Sequence, residues 1–220
     1  MHRLNRNSVP IPVCLVPTGQ PRRYNDLRGP EKTQVRTALL AMQDERCAYC
    51  ERRTGQANND GHIEHFRNQA AHTHLETDWN NLFWSCTDEN SCGKHKDNCC
   101  HVGGTGRCRA FNVDHLINPC VDNPDDFMQF VSDGTIHPRD GLGGDQIHRY
   151  EETLRVFNLA DSPFLRRSRE DAVKPYISAL SALQAAGSEL FQRYVSGELA
   201  QLDSTPFATA IRHFLESNLR

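Results

Sequence analysis

The sequence has few apolar residues and no long apolar segment. Hydrophobic residues make up 37% of the 220 residues, and no run of them approaches the ~20 residues that a membrane-spanning helix needs. The first ten residues, MHRLNRNSVP, have no apolar centre, so they are not typical of a secretory signal. These absences predict a cytoplasmic protein with no membrane partner.

Cysteine and histidine are abundant instead. The chain has nine cysteines and eleven histidines. Without an export signal, the cysteines belong to a reducing compartment, where a disulfide framework is uncommon. The sequence therefore favours metal binding over disulfide bonding.

The net charge of −3 is unevenly distributed along the chain. Residues 1–50 have eight basic and four acidic residues, residues 51–144 have eight against fourteen, and residues 145–220 have nine against ten. If the protein binds nucleic acid, the N-terminal segment is its best electrostatic candidate. An ordinary solvated surface explains the same arginines equally well.

Differences in composition and hydrophobic periodicity predict that the chain has three parts. Residues 1–28 are rich in proline and arginine and have little periodicity, which indicates an extended basic arm or a segment that wraps around the domain. Residues 29–144 contain short apolar runs among many Cys, His, Asn and Asp residues. Residues 145–220 have helical periodicity and are expected to frame a site or to dock a partner.

Several elements can be predicted within these parts. A helix is expected to begin at Pro30, with an apolar stripe formed by Val35, Leu39, Leu40 and Met42. Two strand signals lie around Ile63 and at residues 82–84, and a hairpin is expected across Asp133-Gly134. Ser162-Pro163 is a good helix start, and Pro175 is expected to kink or split that helix.

The strongest local motif is Cys47-Ala-Tyr-Cys50. Two cysteines at this spacing can direct both thiolates onto one metal ion, as in structural zinc sites. Cys86 and Cys92 are the nearest candidates for the two remaining tetrahedral ligands. A redox-active pair is the alternative, but the surrounding sequence does not resemble the strand–helix unit of a thioredoxin.

A second cysteine-rich cluster follows the first. Cys99, Cys100, His101 and Cys108 have the ligand types of another zinc site. They can equally be free reduced thiols, or replace Cys86 or Cys92 at the first site.

An acidic residue precedes a histidine in Gly61-His-Ile-Glu-His-Phe-Arg67. Glu64 can hold a divalent cation while His65 accepts a proton from water. Because adjacent strand residues point to opposite faces, a bulge or loop is needed for both side chains to serve one site. Taken alone, the fragment favours an ordinary surface histidine beside an acidic neighbour.

Further motifs favour a functional role for Glu64 and His65 instead. Together, the segments CAYCERR, HIEHFRN, WNNLFWSC and SCGKHK resemble the HNH nuclease family in order and separation. The chain is more similar still to the PtuB-type HNH proteins of Septu and retron anti-phage systems, also through LINPCVDNPDDFMQFVSDGTI and ETLRVFNL. The resemblance covers roughly residues 30–170. It implies an α+β fold with a zinc-braced ββα-metal core in residues 29–144.

The resemblance also implies roles for individual residues. His65 is expected to be the general base, and Glu64, where the family usually has Asp, a metal ligand. Asn81 is expected to steady the loop and orient His65. His95 is expected to close the site as a second metal ligand, although related nucleases often carry His or Asn directly after the cysteine, where this chain has Gly93.

The remaining expectations concern cofactors and contacts. Zinc is expected to be structural at Cys47, Cys50, Cys86 and Cys92, and Mg²⁺ or Mn²⁺ to be catalytic. Arg67, Lys94 and Lys96 are candidates for contact with nucleic-acid phosphates.

The resemblance implies a nuclease that acts with partners. It implies association with a PtuA-type SMC-like ATPase subunit, and with a retron reverse transcriptase and its DNA–RNA product. The predicted function is hydrolysis of phosphodiester bonds by a metal-dependent HNH endonuclease of an anti-phage defence complex. The alternative is a non-catalytic zinc-ribbon adaptor that binds nucleic acid or protein.

Overall fold

A computed structural model describes residues 1–17, 22–55, 60–100, 110–183 and 188–219. Within these ranges the chain has six α-helices, four short strands and several isolated 3₁₀ turns. The helices are α1 (Gly29–Met42), α2 (Cys92–Cys100), α3 (Gly144–Phe157), α4 (Pro163–Leu183), α5 (Ser188–Leu199) and α6 (Ala208–Ser217). The strands are β1 (Gly61–His65), β2 (Leu82–Cys86), β3 (Met128–Phe130) and β4 (Ile136–Pro138).

Helix α1 begins where the sequence predicts. Pro30 lies in its first turn, and the Glu31 carboxylate accepts a 2.8 Å hydrogen bond from the backbone N–H of Arg28. Its predicted apolar stripe is confirmed, since Val35, Leu39, Leu40 and Met42 are all buried. This stripe packs α1 against β2.

Strands β1 and β2 form an antiparallel pair, and α2 follows β2 and packs on it. The register is one-to-one from Gly61 opposite Cys86 to His65 opposite Leu82, so β1 contains no bulge. The buried Gln43 side chain exchanges two hydrogen bonds with the backbone of Trp84, at 2.8 and 2.9 Å. Gln43 thereby satisfies a main-chain N–H and C=O on the open side of β2.

An aromatic cluster lies beside the β1–β2 pair. The rings of Tyr49 and Phe157 stack with centroids 4.0 Å apart, and Phe83 lies 6.1 Å from Tyr49. Phe66 contacts both phenylalanine rings of this group, at 5.9 and 6.5 Å. These contacts attach α3 to the hairpin, because Phe157 is the last residue of α3.

The second hairpin, β3–β4, also forms where it was predicted, with Gly134 in its turn. Gly134 has a φ of +79°, and a Cβ at this position would lie 2.0 Å from the carbonyl oxygen of Arg166 on α4. Both the positive φ and the close approach to α4 therefore require glycine.

The C-terminal third is helical, as expected; the predicted split at Pro175 is wrong, whereas the predicted kink there stays a prediction. Helix α4 continues through Pro175 as one element from Pro163 to Leu183. Pro175 is exposed, so the carbonyl group that loses its N–H partner can be solvated instead of buried.

The structure confirms a mixed helix-and-sheet fold. The three predicted parts (1–28, 29–144 and 145–220) stay a prediction. Residues at the start of the chain pack onto the core rather than standing apart: Leu4, Leu15 and Leu27 are buried. In the part of the chain that the structure describes, no helix has the length and apolar character of a membrane span.

We expect Gly134→Ala to destabilise the fold more than Gly141→Ala. Both glycines have a φ of +79°, but an added Cβ at Gly141 meets no atom within 4 Å. Gly141→Ala should therefore cost about 1–2 kcal/mol of backbone strain, and Gly134→Ala should add about 1–3 kcal/mol for the clash with α4. Urea unfolding of both variants measures the difference, and equal losses would contradict the described packing of the hairpin on α4.

Candidate metal and catalytic site

Four cysteines from three segments meet beside the β1–β2 pair. The sulfur atoms of Cys47, Cys50, Cys86 and Cys92 all lie within 4.8 Å of one another, and all four side chains are buried. Cys47 and Cys50 follow α1, Cys86 ends β2, and Cys92 begins α2. Four sulfurs at this spacing can bind zinc tetrahedrally, so the structure groups the four cysteines that the sequence proposed as ligands.

The protonation of these thiols depends on their crowding. Burial by itself raises the pKa of Cys47, but hydrogen bonds from the other three thiols hold its pKa well below the ordinary value. The hydrogen bond to Cys47 raises the pKa of Cys50, and burial raises that of Cys92. Without a cation, such a cluster ionises unevenly, whereas zinc stabilises thiolates at all four positions.

The other cysteines are placed differently. Cys14 and Cys120 are half-buried and lie outside the four-cysteine cluster. The predicted second zinc site at Cys99, Cys100, His101 and Cys108 lies outside the described side chains.

His65 is the last residue of β1, and its ring has a defined orientation. Its Nε2 lies 2.9 Å from the carbonyl oxygen of Glu76. Because a carbonyl oxygen only accepts, Nε2 carries the proton and Nδ1 keeps its lone pair. Burial lowers the pKa of His65, which favours this neutral form near neutral pH. The ring of Tyr24 packs edge-on against the imidazole, with centroids 4.9 Å apart.

Asn81 holds the loop that orients His65. Its Oδ1 accepts a 2.7 Å hydrogen bond from the backbone N–H of Arg67. Its Nδ2 donates to the carbonyl oxygens of Arg67 and Leu75, both at 3.1 Å. Arg67 lies two residues after His65, and Leu75 directly precedes the Glu76 carbonyl that holds the ring. The amide therefore braces both ends of the loop around His65.

Glu64 is buried on the other face of β1. The Lys96 ammonium lies 2.5 Å from its Oε1, and both side chains are 1% exposed. Burial raises the pKa of Glu64, but the Lys96 charge more than offsets this effect and keeps its pKa below the ordinary value. Glu64 is consequently a buried carboxylate, which is the form that binds a hard divalent cation.

The described hydrogen bond of His95 is with α3 and not with Glu64. His95 Nδ1 donates a 2.9 Å hydrogen bond to the carbonyl oxygen of Val156 on α3. Gly93 and Lys96 of α2 lie next to Glu64: a Cβ at Gly93 would lie 2.5 Å from Glu64 Oε2, and the Lys96 ammonium contacts Oε1. The metal-binding role of His95 therefore stays a prediction without a supporting contact.

The three basic residues that are candidates for phosphate contact differ in exposure to solvent. Arg67 is 34% exposed and pairs with Asp114 at 2.5 Å, and Lys94 is 36% exposed and lies 3.9 Å from Glu89. Lys96 is buried and also donates to the carbonyl oxygen of His65, so its ammonium is occupied within the protein. Contacts of these residues with nucleic acid stay a prediction.

Sequence reasoning missed two participants in this site. His62, two residues before Glu64, shares its strand face, which the alternation of strand residues could have indicated. The Glu76 carbonyl is a main-chain group eleven residues from His65, and no local pattern identifies such a partner.

Two known proteins are similar to this chain. The Septu protein PtuB of Bacillus thuringiensis is 30% identical over 101 residues, which cover 46% of this chain. The Retron Vc95 putative HNH endonuclease of Vibrio cholerae serotype O1 biovar El Tor is 25% identical over 179 residues, covering 78% of each chain. The resemblance to PtuB-type HNH proteins is confirmed.

This similarity has clear bounds. The matched segment spans 34% of the Bacillus PtuB, about a third of its length. No protein-family model matches the chain. The PtuB-type similarity therefore identifies relatives, and the roles of individual residues stay predictions.

We expect Cys47→Ser to remove zinc and to lower the thermal stability of the protein. A hydroxyl is a poorer zinc ligand than a thiolate, and zinc binding contributes directly to folding. Elemental analysis and thermal unfolding measure the two effects, with Cys14→Ser as the control outside the cluster. Unchanged zinc content in Cys47→Ser would refute the four-cysteine site.

We expect Asn81→Ala to destabilise the loop between Arg67 and Asn81. The variant removes three hydrogen bonds, two of them to main-chain carbonyl groups, which should cost about 1–3 kcal/mol of unfolding free energy. Its exposed neighbour is the matched control, and Asn80→Ala should change stability far less. Amide hydrogen exchange localises the effect, and equal protection of the loop in both variants would contradict this role.

Proposed function

We propose that the chain is a metal-dependent HNH endonuclease that hydrolyses phosphodiester bonds. The observation that carries this proposal is the orientation of His65, whose Nε2 lies 2.9 Å from the Glu76 carbonyl oxygen and thereby leaves the lone pair on Nδ1. The β1–β2 pair followed by α2 supports assignment as a zinc-braced ββα-metal core. The name of the Vibrio cholerae relative, a retron HNH endonuclease, supports the same activity.

In this proposal each residue has a distinct task. His65 Nδ1 accepts a proton from the attacking water, while Nε2–H stays on the Glu76 carbonyl and prevents rotation of the ring. The buried Glu64 carboxylate holds the catalytic cation, Mg²⁺ or Mn²⁺. When bound, that cation offsets negative charge on the phosphate and on the leaving oxygen. Asn81 maintains the loop geometry.

The arrangement of β1 constrains how substrate lies. The side chains of Glu64 and His65 point to opposite faces of β1, because the register of the strand pair contains no bulge. His65 ends the strand and would meet a phosphate there, whereas Glu64 is 1% exposed and would hold the cation rather than contact the phosphate. The Arg67 side chain, next but one in sequence and 34% exposed, lies at the same end.

Zinc has a separate, structural task in this proposal. It would hold the Cys47–Cys50 segment, the end of β2 and the start of α2 together. It does not reach His65, because the cysteines lie at the opposite end of the strand pair: Cys86 pairs with Gly61, and His65 with Leu82.

We further propose that the nuclease works in an anti-phage defence complex. The Septu and retron names of the relatives support this context. The partners would be a PtuA-type SMC-like ATPase subunit and, in a retron setting, a reverse transcriptase with its DNA–RNA product. The basic N-terminal segment would supply attraction for nucleic acid that the acidic central part lacks.

His65→Ala tests the catalytic proposal. Loss of a general base should reduce the rate of DNA or RNA cleavage by a factor of about 10²–10⁴. The control is His137→Ala, an exposed histidine on β4, which should cut as the wild type does. Cleavage is measured with Mg²⁺ and with Mn²⁺, for the chain alone and co-purified with its ATPase partner.

Two results would reject the nuclease. One is cleavage by His65→Ala at the wild-type rate. The other is a wild-type complex that binds nucleic acid but never cuts it with either metal, which is the behaviour of the non-catalytic zinc-ribbon adaptor.

A further inference from the structure

We infer that His62 is the second side-chain ligand of the catalytic cation, beside Glu64, in the role predicted for His95. This inference deepens the proposed nuclease function and rests on it. It concerns which side chains of this chain hold the cation, and it is independent of how water is activated.

The first argument is the position of His62 on β1. Residues 62 and 64 of a regular strand point to the same face, whereas residue 65 points to the other. His62 Nε2 lies 3.5 Å from Glu64 Oε2. Two donor atoms of one divalent cation lie about 3–4 Å apart when each bond is about 2.1 Å long. Nε2 and Oε2 are therefore spaced to share one ion.

The second argument is the unsatisfied polarity of this pair. Both ring nitrogens of His62 are buried, yet neither has a hydrogen-bond partner in the described part of the chain. Glu64 Oε2 is buried without a well-placed donor, whereas Oε1 is paired with the Lys96 ammonium. Buried polar atoms without partners are costly, and a cation between Nε2 and Oε2 would satisfy both.

The third argument is the face that α2 presents to Glu64. Gly93 and Lys96 are three residues apart and both face the carboxylate. A helical residue advances by ~100°, so His95 lies on another face, where it bonds to Val156 of α3. Gly93 has no side chain to offer the cation. The described α2 residues near Glu64 offer no nitrogen with a free lone pair, since Asp97 can supply only carboxylate oxygen, so a nitrogen ligand would come from β1.

Lys96 does not exclude a cation from this position. Its ammonium contacts Oε1 of Glu64 and donates to the carbonyl oxygens of His65 and Phe66, at 2.5 and 3.3 Å. Oε2, which faces His62 and Gly93, is left for a second cation. Asp97, 3.3 Å from the ammonium, further reduces the local positive charge.

Mn²⁺ binding to the purified 220-residue chain tests the inference without an activity assay. Calorimetry gives the affinity, and the nitrogen hyperfine coupling in the electron paramagnetic resonance of bound Mn²⁺ reports a histidine ligand directly. His62→Ala should weaken binding at least about tenfold and remove the nitrogen coupling. His95→Ala is the matched control and should retain both the affinity and the coupling. His62→Asp should bind Mn²⁺ through oxygen, without the coupling.

Folding is checked in every variant by zinc content and thermal unfolding. If His62→Ala loses zinc, His62→Gln, which is closer in volume, replaces it under the same criterion. Glu64→Gln is expected to abolish Mn²⁺ binding. If it does, the inference is overturned when folded His62 variants keep the nitrogen coupling, or when His95→Ala loses that coupling. The proposed function itself fails, as a separate result, if Glu64→Gln binds Mn²⁺ as tightly as the wild type.

Discussion

The clustering of four cysteine sulfurs is the constraint on which the rest of the site depends. The cysteines lie in three segments, of which Cys47–Cys50 and β2 are buried in the apolar core, whereas α2 is mostly polar. Packing holds the first two segments, and a tetrahedral metal site would fix the distances and directions among all three. By joining Cys47 and Cys50 to the end of β2 and the start of α2, the cluster sets where α2 begins and how it is rotated.

The rotation of α2 decides what surrounds Glu64. With Cys92 held in the cluster, Gly93 and Lys96 turn toward the carboxylate and His95 turns toward α3. Lys96 then ties the Glu64 carboxylate to the main chain at His65 and Phe66 through one ammonium group. Breaking such a buried pair leaves an uncompensated charge, and this free-energy cost opposes any movement that separates Glu64 from Lys96.

Local patterns were sufficient for most elements of the fold. The stripe of α1, the two strand signals, the β3–β4 turn and the periodicity of α3 all depend on neighbours within a few residues, and all are found. The local rule that proline splits a helix does not hold at Pro175. The cost of proline inside a helix depends on whether its surroundings are buried or solvated, and α4 exposes this position.

The sequence by itself determined the four cysteines that cluster, the strand that carries Glu64 and His65, and the relatives that the chain resembles. The tertiary structure alone decided which nitrogen of His65 keeps its lone pair, because the Glu76 carbonyl that selects the tautomer arrives through a loop. It also decided the direction of His95, through Val156, 61 residues away. Spacing along the chain specifies residue types and strand faces, whereas hydrogen-bond partners depend on segments that only folding brings together.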